Sequence, residues 1–427
     1  MRRVAGVLAF VLLVLGLGGS STGVGSAAPV APKSAAELAI VPAYNGSRLA
    51  WLDPARLRPL KRASVALPGG AWSPVRSPAG QYVALGGVGS TGVRIVDVRR
   101  MKLTTQLVRR PSQRYLRPLA WPTRRRLLVL DYPQNAQGAP EALLAIDPVA
   151  KKVVGRTVRA STAHAWTEWA GAGPRLVLLS EQTDRMGPAR LVVFGPDGGI
   201  IRATDVAVTA GLWPDGPPSS QIARPGLAVD PTGKSAYLVE PRGVTRVDLE
   251  TFDTSYAQLS EAQSLLSRFL GWIEPAAQAK ELAGFSRQAT WVGDGLLAVS
   301  GAEYQIARST PAGLELVEAA TGARHTLESH ASAHLVAGDL LLAFGAARDE
   351  QAQSETGMGL AAFTRDGAQL SNTLTDEPVW LVEAAGGYGY VPTPATAFPR
   401  GVRVIDLATG SILRTVRGEL PSFVDHD

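Results

Sequence analysis

The side chains most suited to binding chemistry are arginines. Arg99, Arg100, Lys102, Arg109, Arg110, Arg114, Arg117 and the run Arg124, Arg125, Arg126 fall in one short stretch. From Arg48 to Arg126 there are 17 Lys and Arg against two acids, Asp53 and Asp97. The whole chain carries 43 Lys and Arg against 37 Asp and Glu, a formal net charge of +6, so the part beyond Arg126 is acidic on balance. A guanidinium keeps its charge at any working pH and offers five donors in a planar fork that suits carboxylate and phosphate. The stretch therefore predicts an anionic partner, either an acidic protein surface or an anionic envelope polymer. Nucleic acid is not expected, because no aromatic-interleaved basic motif accompanies the arginines.

Other chemistry is thinly represented. The chain has no cysteine, so it has no disulfide framework, thiolate metal site or cysteine nucleophile. Glu328, His330 and His334, with His325 near, are the best-spaced metal donors, but His-x-x-x-His faces one way only on a helix and this stretch leads into a strand. No metal is expected, and the sequence indicates no particular cofactor. Gly87 to Gly92 fits G-x-G-x-x-G, but a second apolar run follows where a dinucleotide site needs a helix. A G-x-S-x-G elbow, a P-loop and an EF-hand loop are all missing from the sequence, and no residue is assigned a catalytic role.

The elements that must position the arginines are repeats. An alternating apolar run ending in an acid or turn residue recurs near Asp53, Asp97, Asp147, Asp197, Asp248, Glu318, Asp366 and Asp406. Between these lies a second hairpin type, clearest at Ser77-Pro-Ala-Gly80 and Asp230-Pro-Thr-Gly233. Alternation reads as half-buried strand, and Asp-Gly, Asp-Pro and Thr-Gly between runs read as hairpin turns. Four strands per step of 40 to 50 residues predict an all-β β-propeller, with eight blades favoured and seven the alternative. The segment Glu37 to Leu67 is one strand short, and the tail from Pro421 is expected to supply it.

Ala228-Val-Asp-Pro-Thr-Gly-Lys-Ser-Ala-Tyr-Leu238 and Val404-Ile-Asp-Leu-Ala-Thr-Gly-Ser-Ile-Leu413 resemble the YVTN-type, WD40-like repeat of secreted and surface bacterial propellers. The resemblance implies architecture and is silent on chemistry. The Ala-Thr-Gly turns are also similar to those of eight-bladed quinoprotein dehydrogenases. That family's tryptophan beyond Thr-Gly is replaced here by residues such as Arg414 and His325, and its adjacent cysteines are missing. The primary expectation is a non-catalytic binding or scaffold module. The alternative is an enzyme (hydrolase, lyase or quinoprotein-like oxidoreductase) with a site at the central channel.

Two segments interrupt the strand pattern. Ser260-Glu-Ala-Gln263 reads as a capping box, and the apolar spacing from Ala262 to Ile273 predicts a short helical insertion over 260–284, carrying Trp272. Val206 to Pro225 reads as a long loop holding Trp213. Both are candidate functional face loops. Trp72, Trp121, Trp169, Trp291 and Trp380 open the inner hairpins and are expected to wedge between blades.

Residues 1–28 read as a signal peptide, with basic Arg2-Arg3, an apolar run from Val4 to Leu17, then small residues to Ala28. Residues 29–427 then form a single propeller domain, secreted or extracytoplasmic, without a membrane span.

Overall fold

The computed structural model describes residues 36–43, 46–60, 64–67, 72–87, 92–107, 114–133, 141–159, 167–172, 175–181, 186–212, 222–261, 284–305, 308–349, 352–394 and 401–424. All lie in the compact unit Pro32–Asp427. Among the described residues every regular element is a strand, and no helix is long and apolar enough to cross a membrane.

Antiparallel meanders follow one another along the chain. Meander 1 holds Glu37–Ala43, Gly46–Asp53, Arg58–Pro59 and Val65–Leu67. Meander 2 runs Ser73–Arg76, Tyr82–Gly86, Val93–Asp97, Lys102–Leu107, and meander 3 runs Arg114–Thr123, Arg126–Pro133, Glu141–Asp147, Lys152–Arg159. Meander 4 comprises Thr167–Ala172, Arg175–Ser180, Gly187–Phe194 and Ile200–Leu212. Meander 5 comprises Gly226–Val229, Ser235–Glu240, Gly243–Asp248 and Thr254–Gln258. The next begins with Gly284–Gly293 and ends with Ala323–Glu328, the seventh spans Ala333–Ala337 to Gln369–Thr373, and the eighth spans Glu383–Ala385 to Ile412–Arg417. Bridging strands Ile222–Arg224 and Arg308–Pro311 join meanders 4, 6 and 7 into one 15-stranded sheet.

The first strands of successive meanders pack side by side, from Ser73–Arg76 through each in turn to Ser422–Phe423. The core is divided accordingly. One hydrophobic cluster sits at each joint between neighbouring meanders, including the joint between the eighth and the first. Side chains alternate across a strand, so Leu38 and Ile40 face meander 2 while Ala39 faces meander 8. Leu176 and Leu178 face meander 3 while Val177 and Leu179 face meander 5. A strand buried on both faces needs an unbroken apolar run, which is why Leu127-Leu-Val-Leu130 is one.

The tail supplies the missing strand of meander 1. Ser422–Phe423 pairs with Glu37–Ala43 through Ala39↔Phe423 and Ile40↔Ser422. The Val424 amide donates to the Leu38 carbonyl at 3.0 Å. The Phe423 ring is buried and stacks on Tyr390 with centroids 4.9 Å apart.

Three expectations need correction or lie elsewhere. Ser260 and Glu261, expected at the start of a helix, form a short strand parallel to Ala323 and Arg324. Gly284 is the first residue of the strand Gly284–Gly293. The rest of the expected helical insertion, with Trp272, lies outside the described residues. Val206 to Leu212 is not loop but the end of a 13-residue strand, with Val206, Val208 and Ala210 buried at alternate positions. Trp213 lies outside the described residues.

Candidate anionic-ligand face and cleft

The repeated acid shapes the turns that carry the arginines. Asp97 Oδ1 accepts the Arg100 amide at 3.0 Å, and Asp147 Oδ1 accepts the amides of Val149 and Ala150, both at 2.9 Å. Asp53, Asp248 and Asp406 do the same to their own turns. The fourth residue after Asp53, Asp97, Asp147, Asp248, Glu318 and Asp406 is left-handed: Leu57, Met101, Lys151, Phe252, Gly322 and Gly410 have φ between 46° and 74°. The Ala150 amide, with Val149 and the nearby Arg125 and Arg126, holds the Asp147 carboxyl below its usual range despite some burial.

An antiparallel meander puts its first and third turns at the same end. In meander 2 these turns are Ser77–Gln81 and Val98–Met101; in meander 3 they are Arg124–Arg125 and Pro148–Lys151. Arg99, Arg100, Arg124 and Arg125 stand exposed on them, and Arg126 is half-buried beside them. Arg100 reaches Asp97 only at 3.9 Å, while Arg99, Arg124 and Arg125 have no ion pair among the described residues.

A cleft of about 400 Å³ opens between meanders 2 and 3 at this end. Tyr82, Ile95, Trp121 and Val149 give it apolar walls, and Arg124 and Lys151 bring cations to it. Ser77 fixes one lip: its Oγ accepts the Tyr82 amide at 3.0 Å and its carbonyl accepts the Gly80 amide at 2.7 Å. Asp147 fixes the other, through the turn that presents Val149 and Lys151. No linear motif announced this cleft. The visible signs were Trp121 at a repeat position and the cationic end of the Asp147 turn.

The remaining predicted arginines are elsewhere. Arg117 is exposed on the first strand of meander 3, away from the turns. Its charge opposes the rise that burial imposes on Glu168, on the first strand of meander 4, as does that of Arg224. Among the described first strands, Glu168 and Glu383 are the only carboxylates. Arg114 begins its strand, with a side chain outside the described residues, and Arg109 and Arg110 lie wholly outside them.

The histidines do not converge. His334 is buried, with Nδ1 2.8 Å from Ser300 Oγ and Nε2 2.9 Å from Thr290 Oγ1. His330 is exposed beside Glu328, with Nδ1 3.3 Å from its Oε1. Among the described residues no group of three His, Asp or Glu could hold a metal ion. The Gly87-to-Gly92 segment joins two strands of meander 2.

Trp72 and Trp121 are buried between meanders, Trp169 stacks on Phe194 at 5.8 Å and Trp291 on Tyr237 at 5.3 Å. Trp380 departs from this pattern. It is 53% exposed, beside Leu381 at 55%.

No family model and no curated protein matches this chain. Among solved structures, it is similar to dihydro-heme d1 dehydrogenase NirN in complex with DHE, with 14% identity, a TM-score of 0.55 and coverage of 93% of this chain and 76% of that one. Apo AztD from Citrobacter koseri is similar with 13% identity, TM-score 0.51, and coverage of 91% of this chain and 96% of that one. A second AztD structure gives 12% identity, TM-score 0.50 and the same coverage. The fold is β-propeller-like. At such identities these likenesses bear on the fold alone.

Proposed function

We propose that this chain is an exported, non-catalytic propeller of eight YVTN-like blades that binds an anionic envelope polymer or acidic protein surface through the turn face of meanders 2 and 3. The observation that carries the reading is the set of exposed arginines Arg99, Arg124 and Arg125, without ion pairs among the described residues and brought to the same end of adjacent meanders. The closed series of joint clusters supports eight blades. The basic, apolar and small residues over 1–28 support export. Co-sedimentation of the purified protein with anionic cell-wall polymer tests the reading. Binding at low salt should disappear at high salt, because exposed charges are screened within about 3 Å at 1 M salt. Reversal of Arg99, Arg100, Arg124 and Arg125 to Glu should abolish it. Salt-independent binding, or binding by the reversed variant, would sink the proposal.

A second reading rests on Glu168. Neighbouring protein atoms raise its carboxyl pKa by desolvation although two arginines pull the other way and the residue keeps an exposed side, and shifted acids recur at catalytic sites. Under it the chain is an enzyme (hydrolase, lyase or quinoprotein-like oxidoreductase) acting at the axis. Any turnover found in a substrate screen should then be lost in Glu168→Gln, with folding intact.

A further inference from the structure

We infer that the cleft between meanders 2 and 3 is a small-molecule site for an amphipathic anion: a planar apolar body with a phosphate or carboxylate at one end. The tryptophans that open the inner hairpins differ in what covers them. Trp169 and Trp291 each stack on a ring, and Trp72 lies under the Arg94 guanidinium at 5.2 Å. Among the described residues no ring stacks on Trp121 and no cation lies over it, and its buried indole N–H, like that of Trp72, has no acceptor. Beside it lies the cleft of about 400 Å³, within the usual range for a ligand of modest size. Tyr82, Ile95 and Val149 would flank a flat apolar body, and Arg124 and Lys151 would hold its charged end. In this view the ligand fills the place that a protein side chain fills at the other tryptophans.

The site shares Arg124 with the polymer-binding face but does not need Arg99, Arg100 or Arg125, so the two bindings can be separated. The test uses 1-naphthyl phosphate as probe, titrated into the full chain and followed by calorimetry and tryptophan fluorescence. One-to-one saturable binding is expected, with 1-naphthol and inorganic phosphate each weaker by at least about tenfold. Lys151→Gly combined with Arg124→Ala should weaken the probe by a similar factor. Gly suits the left-handed backbone at 151 (φ 55°) and both residues are exposed, so the melting temperature should hold. Val149→Trp, which narrows the cleft, should abolish probe binding without unfolding the protein. Equal binding of 1-naphthoate extends the site to any anionic head, and weaker binding of it assigns phosphate; both uphold the site. Absence of saturable binding, equal affinity for 1-naphthol, or full affinity in the double variant would overturn it. Probe binding without polymer co-sedimentation removes the polymer reading alone, and the reverse removes this site alone.

Discussion

Asp230 shows why acids recur at turns in this chain. Burial pushes its carboxyl pKa up, yet hydrogen bonds from the Thr232 hydroxyl and from the Lys234, Ser235 and Thr232 amides together hold it below the usual range. Its oxygens lie 2.6 Å from Thr232 Oγ1 and 2.8 Å from the Ser235 amide. Asp230→Ala strands these donors and should cost about 1–2 kcal/mol in urea unfolding. Asp147, Asp248 and Asp366 are depressed as well, each chiefly by a hydrogen bond to its own turn. A carboxyl whose folded pKa lies below its unfolded value stabilises above the unfolded value, near 4. That stability is lost as pH falls through the folded pKa. The melting temperature should therefore drop below about pH 4, and less steeply in Asp230→Asn. Gly322 marks the strictest turn position. It combines φ 74° with close approach to the Gln258 carbonyl, whereas Lys151 holds a similar φ without glycine. Gly322→Ala should cost more than about 2 kcal/mol by thermal melting, from left-handed strain plus displaced backbone.

Between elements, His334 is the clearest polar tie. It begins the seventh meander and reaches Thr290 and Ser300 of the sixth, while the Gln288 amide donates to the His334 carbonyl at 3.1 Å. Arg287 and Glu303 are the charged groups nearest in sequence on the same two sixth-meander strands, and they pair with each other at 2.9 Å. Burial lowers the imidazole pKa to about 4. The unfolded chain thus takes up the proton first, and this group's contribution is complete above about pH 6.5 and declines toward pH 4. A urea-unfolding series should show that decline in the parent and lose it in His334→Asn. Elements were also where the sequence was most and least readable. The acid-turn repeats and the Asp230-Pro-Thr-Gly233 hairpin announced themselves because turn chemistry is local. Ser260-Glu261 read as a helix cap, since Ala323 and Arg324, the partners that make it a strand, are far away in the chain. Arg117 looked continuous with Arg124, yet strand direction separates them along meander 3. The cleft beside Trp121 arises only when two meanders pack, so no single segment could reveal it.

For the whole molecule, stability depends on the joint between the first and eighth meanders. Phe423 fills the cluster of Ala39, Leu52 and Tyr390, and the Tyr390 hydroxyl donates to the Pro54 carbonyl at 3.0 Å. Phe423→Ala should cost about 3–5 kcal/mol in urea unfolding. Removing residues 421–427 should broaden the transition as meander 1 loses its first strand. Pairing Ala39 with Phe423 closes a loop of nearly the entire chain, an entropic charge of about 5 kcal/mol by the logarithmic rule. The contacts that repay it cannot form early. A polypeptide made from its N-terminus therefore leaves the inner edge of Glu37–Ala43 uncovered until Ser422–Phe423 is available, a free edge of the kind that recruits other strands. An incompletely made chain is therefore open to edge-to-edge association at meander 1 in a way that the closed joint is not.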